Sequence, residues 1–143
     1  MRVMGLDIGE KRIGVALSDP LRVVASALTV VERKAEEAAI RHLIDLAREN
    51  DVERIVIGLP RSLDGSLGKQ AQSIQHFVEL LKKYTQLPIE TWDERLSTVA
   101  AERIMIEVGA KRDKRKKHRD SLAAAFILQG YLDREKNRSP GPG

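Results

Sequence analysis

The sequence predicts an α/β domain: a mixed five-stranded sheet, three antiparallel strands followed by strand–helix units, with helices on both faces. Three observations predict it. From Val3 to Val31, apolar stretches alternate with turn-forming ones, the pattern of an antiparallel meander. From Lys34 onward the apolar residues recur at helical spacing, and these helices alternate with short apolar strands. The chain has 143 residues, 42% hydrophobic and 32% charged, which suits one globular domain able to bury a substantial core.

The elements follow in order. Val3 to Ile8 is the first strand, apolar around Gly5 and Asp7, and Gly9-Glu10-Lys11-Arg12 is its turn. Ile13 to Ser18 sets Ile13, Val15 and Leu17 against Gly14, Ala16 and Ser18, the two-residue period of a strand. Asp19-Pro20-Leu21-Arg22 turns the chain into Val23 to Val31, rich in β-branched residues. Lys34 to Asn50 is a helix with Ala39, Ile40, Leu43, Ile44 and Ala47 on one stripe. Arg54 to Leu59 is a strand closed by Pro60, and a Gly- and Ser-containing loop covers 61–68. Ala71, Ile74, Phe77, Val78, Leu81 and Tyr84 mark a second helix, and Pro88 to Trp92 a fifth strand ending in Asp93-Glu94. Ser97 to Val108 predicts a third helix stopped by Gly109, and Asp120 to Leu132 a last one. The domain is expected over 1–135. The tail 136–143, with its Pro and Gly residues, reads as disordered.

Composition excludes several classes. There are no cysteines, which removes disulfide scaffolds, thiol catalysis and Cys-ligated metal sites, and fits a cytoplasmic protein. The three histidines, His42, His76 and His118, are too scattered for a short metal motif. No apolar run approaches a membrane span, and an acid at Asp7 comes too early for a signal peptide. The net charge of +4 hides an asymmetry. Lys111 to Arg119 holds seven Lys/Arg and one Asp, a local +6, which leaves −2 for all other residues. Such a block is either a solvated loop or the footprint of a polyanionic partner.

Acids stand at three places that bear on the core and the sheet edge. Asp7 lies in the first strand and by period shares a face with Val3 and Gly5. A carboxylate there needs a basic partner, backbone N–H groups or a metal, unless it simply caps the turn at Gly9. Asp93-Glu94 ends a strand, at the sheet edge where sites form in open α/β folds. Successive residues face opposite ways, so one of the pair is expected to face Asp7, and spacing leaves open which; the pair also suits a helix start. Asp120 leads Ala123, Ala124, Ile127 and Tyr131 at helical spacing, or is a boundary acid of that helix. Converging carboxylates repel unless cations neutralise them, and oxygen donors suit Mg²⁺ or Mn²⁺. Paired ions of this kind promote in-line phosphoryl displacement without His or Cys.

The ordered motifs resemble a known family. They are Gly5-Leu6-Asp7-Ile8-Gly9 with Lys11-Arg12-Ile13-Gly14-Val15-Ala16, then Gly58-Leu59-Pro60-Arg61, Asp64-Gly65 and Gly68. Asp93-Glu94-Arg95-Leu96-Ser97-Thr98 with Ala101 follows, and Asp120 with Ala123-Ala124 and Ile127-Leu128-Gln129 closes the set. The chain resembles the YqgF/RuvX-type proteins of the RNase H-like superfamily. These are described as Holliday-junction-resolvase-like and as nucleases maturing the small-subunit ribosomal RNA precursor. The resemblance implies an RNase H-like fold and a metal-dependent nuclease, with Asp7, Glu94 and Asp120 as the catalytic, metal-binding acids and Mg²⁺ or Mn²⁺, two ions, as cofactor. It implies processing of the 5′ end of pre-16S rRNA, with a DNA-junction resolvase as the alternative; the oligomeric state, monomer or homodimer, stays open.

The basic block directly precedes Asp120, which favours phosphate-backbone binding by Lys111, Arg112, Lys114, Arg115, Lys116, Lys117 and Arg119. Lys11, Arg12, Arg61 and Arg95 flank the other motif residues and are further candidates for nucleic-acid contact. Of the five aromatics, Phe77, Phe126 and Tyr131 fall on helix stripes and are expected in the core, which leaves little for a base-stacking platform. A non-catalytic nucleic-acid-binding factor is the second reading. An actin- or hexokinase-like phosphotransferase would need a second related domain, for which the chain has no room.

Overall fold

A computed structural model describes residues 1–60, 68–93 and 116–138, with residues 116–120 and 137–138 described by backbone alone. The predicted helix at 97–108 and most of the 61–68 loop lie outside the described residues. The elements are β1 (Arg2–Ile8), β2 (Arg12–Ser18), β3 (Ala25–Glu32), α1 (Glu36–Glu49), β4 (Val52–Leu59), α2 (Lys69–Lys82), β5 (Ile89–Asp93) and α3 (Lys116–Arg138). They form a five-stranded sheet of order β3-β2-β1-β4-β5. β1–β2 and β2–β3 pair antiparallel, β1–β4 and β4–β5 parallel. This is the predicted mixed sheet, and the crossovers that parallel pairs require are the helices between the strands.

Alternation along the strands divides the core in two. Met4, Leu6, Ile8, Ile13, Val15, Leu17, Ile55, Ile57 and Leu59 point to one face, where Ile40 and Leu43 of α1 and Ile74, Phe77 and Leu81 of α2 cover them. Val3, Ala16, Val56 and Trp92 point to the other, under Ala124, Ile127, Leu128, Tyr131 and Leu132 of α3. α1 carries Glu36 and Glu37 in its first turn and Arg48 in its last, the charge order that suits a helix dipole.

Four expectations are corrected. β3 begins at Ala25, not Val23, because the Asp19 carboxylate takes the N–H groups of Val23 and Val24 at 2.7 and 2.9 Å and holds them out of the ladder. The last helix begins at Lys116, so Asp120 lies inside it and Lys116 to Arg119 are helical rather than loop. α3 continues to Arg138, so 136–138 belong to the helix and not to the tail. Phe126 is only half-buried, since it lies beside rather than on the stripe that meets the sheet.

Candidate active site at the carboxyl edge of the sheet

Because β1, β4 and β5 run parallel, their carboxyl ends share one edge, where Ile8, Leu59 and Asp93 finish. Asp7 is half-buried there, paired in register with Gly14 of β2. It follows Val3 and Gly5 on the face that α3 covers, the face its spacing predicted.

Gly5 sets how α3 lies on that face. A Cβ built on Gly5 would stand 2.7 Å from the Leu128 Cβ and 3.2 Å from the Ala124 carbonyl oxygen. Only glycine allows the helix this close. At the other end of β1, Val3, Tyr131 and Leu132 line one cavity of about 360 Å³. α3 therefore runs antiparallel to β1: Tyr131 is near Val3, Ala124 is at Gly5, and the helix start lies toward the end that carries Asp7.

The fifth strand fixes the facing of its last two residues. Trp92 packs on the α3 side, edge-to-face with Tyr131 at 6.1 Å between ring centroids. Asp93, the next residue of β5, is therefore on the opposite face from Asp7. Glu94, Arg61 and Arg95 lie outside the described residues, as do Lys111, Arg112, Lys114 and Arg115. Asp120, Lys116, Lys117 and Arg119 are located by the backbone of α3 alone. Lys11 is exposed in the β1–β2 turn, and Arg12 is half-buried at the start of β2. Among the described residues no group of three His, Cys, Asp or Glu side chains gathers. The acids that the motif resemblance singles out, Asp7, Glu94 and Asp120, are all carboxylates, a set whose hard oxygens fit Mg²⁺ or Mn²⁺.

Three polar side chains at and around this framework escape sequence reasoning. Arg33 donates to the Gly9 carbonyl at 2.8 Å. Gln129 of α3 accepts from Ala25 N–H at 2.8 Å and donates to the Val23 carbonyl at 2.9 Å, which ties the β2–β3 loop to the helix. Arg54 of β4 donates to the Tyr131 hydroxyl at 2.6 Å. The burial of Tyr131 pushes its phenol above the ordinary value of 10.0, and the Arg54 bond only partly offsets this. Gln129 sits in a motif of the resemblance, but nothing in the motif says what it holds.

Strand order and the placement of α3 define a class, the RNase H-like fold of the Holliday-junction resolvases. RuvC of T. thermophilus in complex with Holliday junction substrate superposes with a TM-score of 0.56 at 17% identity, covering 94% of this chain and 96% of that one. The fowlpox virus Holliday junction resolvase superposes with a TM-score of 0.53 at 17% identity, over 94% and 99%. At that identity the likeness concerns the fold alone.

Sequence comparison narrows the class to a family. Residues 1–134 match the family described as "RuvX: Holliday junction resolvase", and the chain belongs to it. A Desulforamulus reducens protein is 51% identical over 133 residues, 93% of this chain and 97% of its own length. A Symbiobacterium thermophilum protein is 49% identical over 140 residues, 98% and 97%. Both bear the name "Putative pre-16S rRNA nuclease". Among the described residues no helix is long and apolar enough to cross a membrane.

Proposed function

We propose that this protein is a metal-dependent nuclease that hydrolyses phosphodiester bonds of structured RNA, processing the 5′ end of pre-16S rRNA during ribosome biogenesis in the cytoplasm. The register of α3 on β1 carries the reading. Ala124 lies at Gly5. One helical turn before Ala124 is Asp120, and two residues beyond Gly5 is Asp7. A turn of helix and two residues of strand advance by similar lengths, about 5–7 Å, which supports a common edge of the sheet for the two acids. The pre-16S rRNA nuclease name borne by full-length relatives near half identity supports the choice of substrate.

Asp7, Glu94 and Asp120 would hold the divalent ions. The face assignment of Asp93 favours Glu94 as the acid that joins Asp7. When bound, the ions would stabilise charge on the attacking and leaving oxygens of the displacement. This chain's own groups bind and orient the strand. Lys11, in the turn after Asp7, and Arg12, at the start of β2, would hold a phosphate beside it. Arg61, Arg95 and the block from Lys111 to Arg119 would add sequence-independent attraction for the backbone. Of the five aromatics, Phe77, Trp92 and Tyr131 are buried in the core and Phe126 is half-buried, which leaves Tyr84 exposed and supports recognition of backbone shape over stacking on unpaired bases.

The test is side-by-side cleavage of a pre-16S rRNA fragment and a four-way DNA junction, with Mg²⁺ and with Mn²⁺. Cleavage of the RNA that disappears with chelator, and in Asp7→Asn, Glu94→Gln and Asp120→Asn, is expected. Cutting confined to the DNA junction would move the substrate to branched DNA. Metal-independent binding with no cutting of either, unchanged or tightened by the acid substitutions, would make the protein a binding factor instead.

A further inference from the structure

We propose that Arg33 is a positioning residue for the candidate site, clamping the turn after Asp7 to the two helices on the far face of the sheet. This rests on the nuclease reading. Arg33 stands between β3 and α1, and its side chain is 10% exposed. One guanidinium nitrogen, Nη1, donates to the Gly9 carbonyl at 2.8 Å; the other, Nη2, donates to Glu36 Oε1 of α1 at 2.9 Å. The Cζ lies 5.3 Å from the ring centroid of Phe77, a fully buried residue of α2. The Arg33 backbone N–H also donates to the Lys11 carbonyl, at 2.8 Å. One residue thus joins the β1–β2 turn to both helices.

Arginine suits this position. Its planar fork reaches two acceptors at once while its face covers an aromatic ring. A lysine ammonium, as a point charge, gives no such flat, two-pronged contact. The clamped turn is also the one that matters. Gly9 comes two residues after Asp7 and directly before the segment that carries Lys11 and Arg12. The Gly9 N–H donates to the Arg12 carbonyl at 2.9 Å, and a Cβ on Gly9 would stand 2.7 Å from that oxygen. The turn is therefore tight on its inner side and held by Arg33 on its outer side. Catalytic constellations tolerate only about 0.5 Å of misplacement, so a loosened turn would reach the reaction through Asp7 and Arg12. Arg33 itself acts through Gly9.

The full-length protein is compared with Arg33→Lys and Arg33→Met by denaturation, by amide exchange and by RNA cleavage with Mg²⁺. Methionine keeps an apolar stem against Phe77 and removes both donors. In folded Arg33→Met, exchange at Gly9, whose N–H donates to the Arg12 carbonyl, is expected to rise about tenfold while amides of β4 stay at wild-type rates. The value of kcat is expected to fall about tenfold or more, by a larger factor than KM changes, with Arg33→Lys between the two. Wild-type exchange at the turn together with wild-type kcat would overturn the proposal. So would exchange accelerated uniformly across the sheet, which marks plain destabilisation. If the wild-type protein cuts nothing, the nuclease reading fails, and exchange at Gly9 alone upholds or overturns the clamp.

Discussion

Gly5 of β1 and Leu128 of α3 meet so closely that a Cβ on Gly5 would lie 2.7 Å from the Leu128 Cβ. Both atoms are fixed to backbone, so no rotamer change relieves the overlap; the helix itself must move. Asp120 rides on that helix. Gly5→Ala is therefore expected to cost about 1–3 kcal/mol, the usual range for overpacking, and to lower cleavage further than the loss of folded protein explains. Urea denaturation and cleavage by the same preparations check this. Leu128→Ala retains the offending Cβ and should not rescue the variant.

Trp92 faces α3 and Asp93 the opposite side of the sheet, so the proposed function gives the two neighbouring acids, Asp93 and Glu94, different roles. Asp93→Asn should leave most of the cleavage rate. Glu94→Gln should remove about 100-fold or more, since loss of metal-borne charge stabilisation is worth several kcal/mol. Rate measurements on the two variants decide it. Equal losses would show that strand alternation misassigns the ligand.

Gln129 bridges α3 to the loop before β3 through Ala25 and Val23. Gln129→Ala leaves the Ala25 N–H and the Val23 carbonyl without it, at an expected cost of about 1–2 kcal/mol. Exchange at Ala25 should quicken and cleavage should stay at the wild-type rate, because this loop lies at the sheet end away from Asp7.

Burial raises the pKa of Tyr131, which sets the sign of one alkaline effect. The folded protein keeps a phenolic proton that the unfolded chain releases near its ordinary value of 10.0. The stability this supplies is whole below that pH and is lost as pH rises through the folded-state value. Denaturation midpoints followed from about pH 9 to 11 should fall less steeply in Tyr131→Phe than in wild type.

Much of the framework was legible in the sequence because it is written in local periods. The alternation of β1 identified Asp7 as sharing a face with Val3 and Gly5, and the stripes of α1, α2 and α3 marked the residues that cover the sheet. Boundaries were less legible where a side chain competes with the backbone. The Asp19 carboxylate holds Val23 and Val24 out of β3, although both are β-branched. The clamps were not legible at all. Arg33 reaches Gly9 across 24 residues, and Gln129 reaches Ala25 across 104. No periodicity links such positions, since the contacts exist only after the sheet has formed.

Composition, period and motif order determined on their own that this is a mixed α/β domain with acids at a strand middle, a strand end and a helix. Tertiary structure decided which helices cover each face, how closely α3 approaches β1, and that Asp93 lies on the side away from α3. The physical reason is range. Side-chain period is a property of neighbouring residues, whereas the depth of a helix on a sheet depends on the absence of a Cβ at Gly5 opposite a residue more than a hundred positions away.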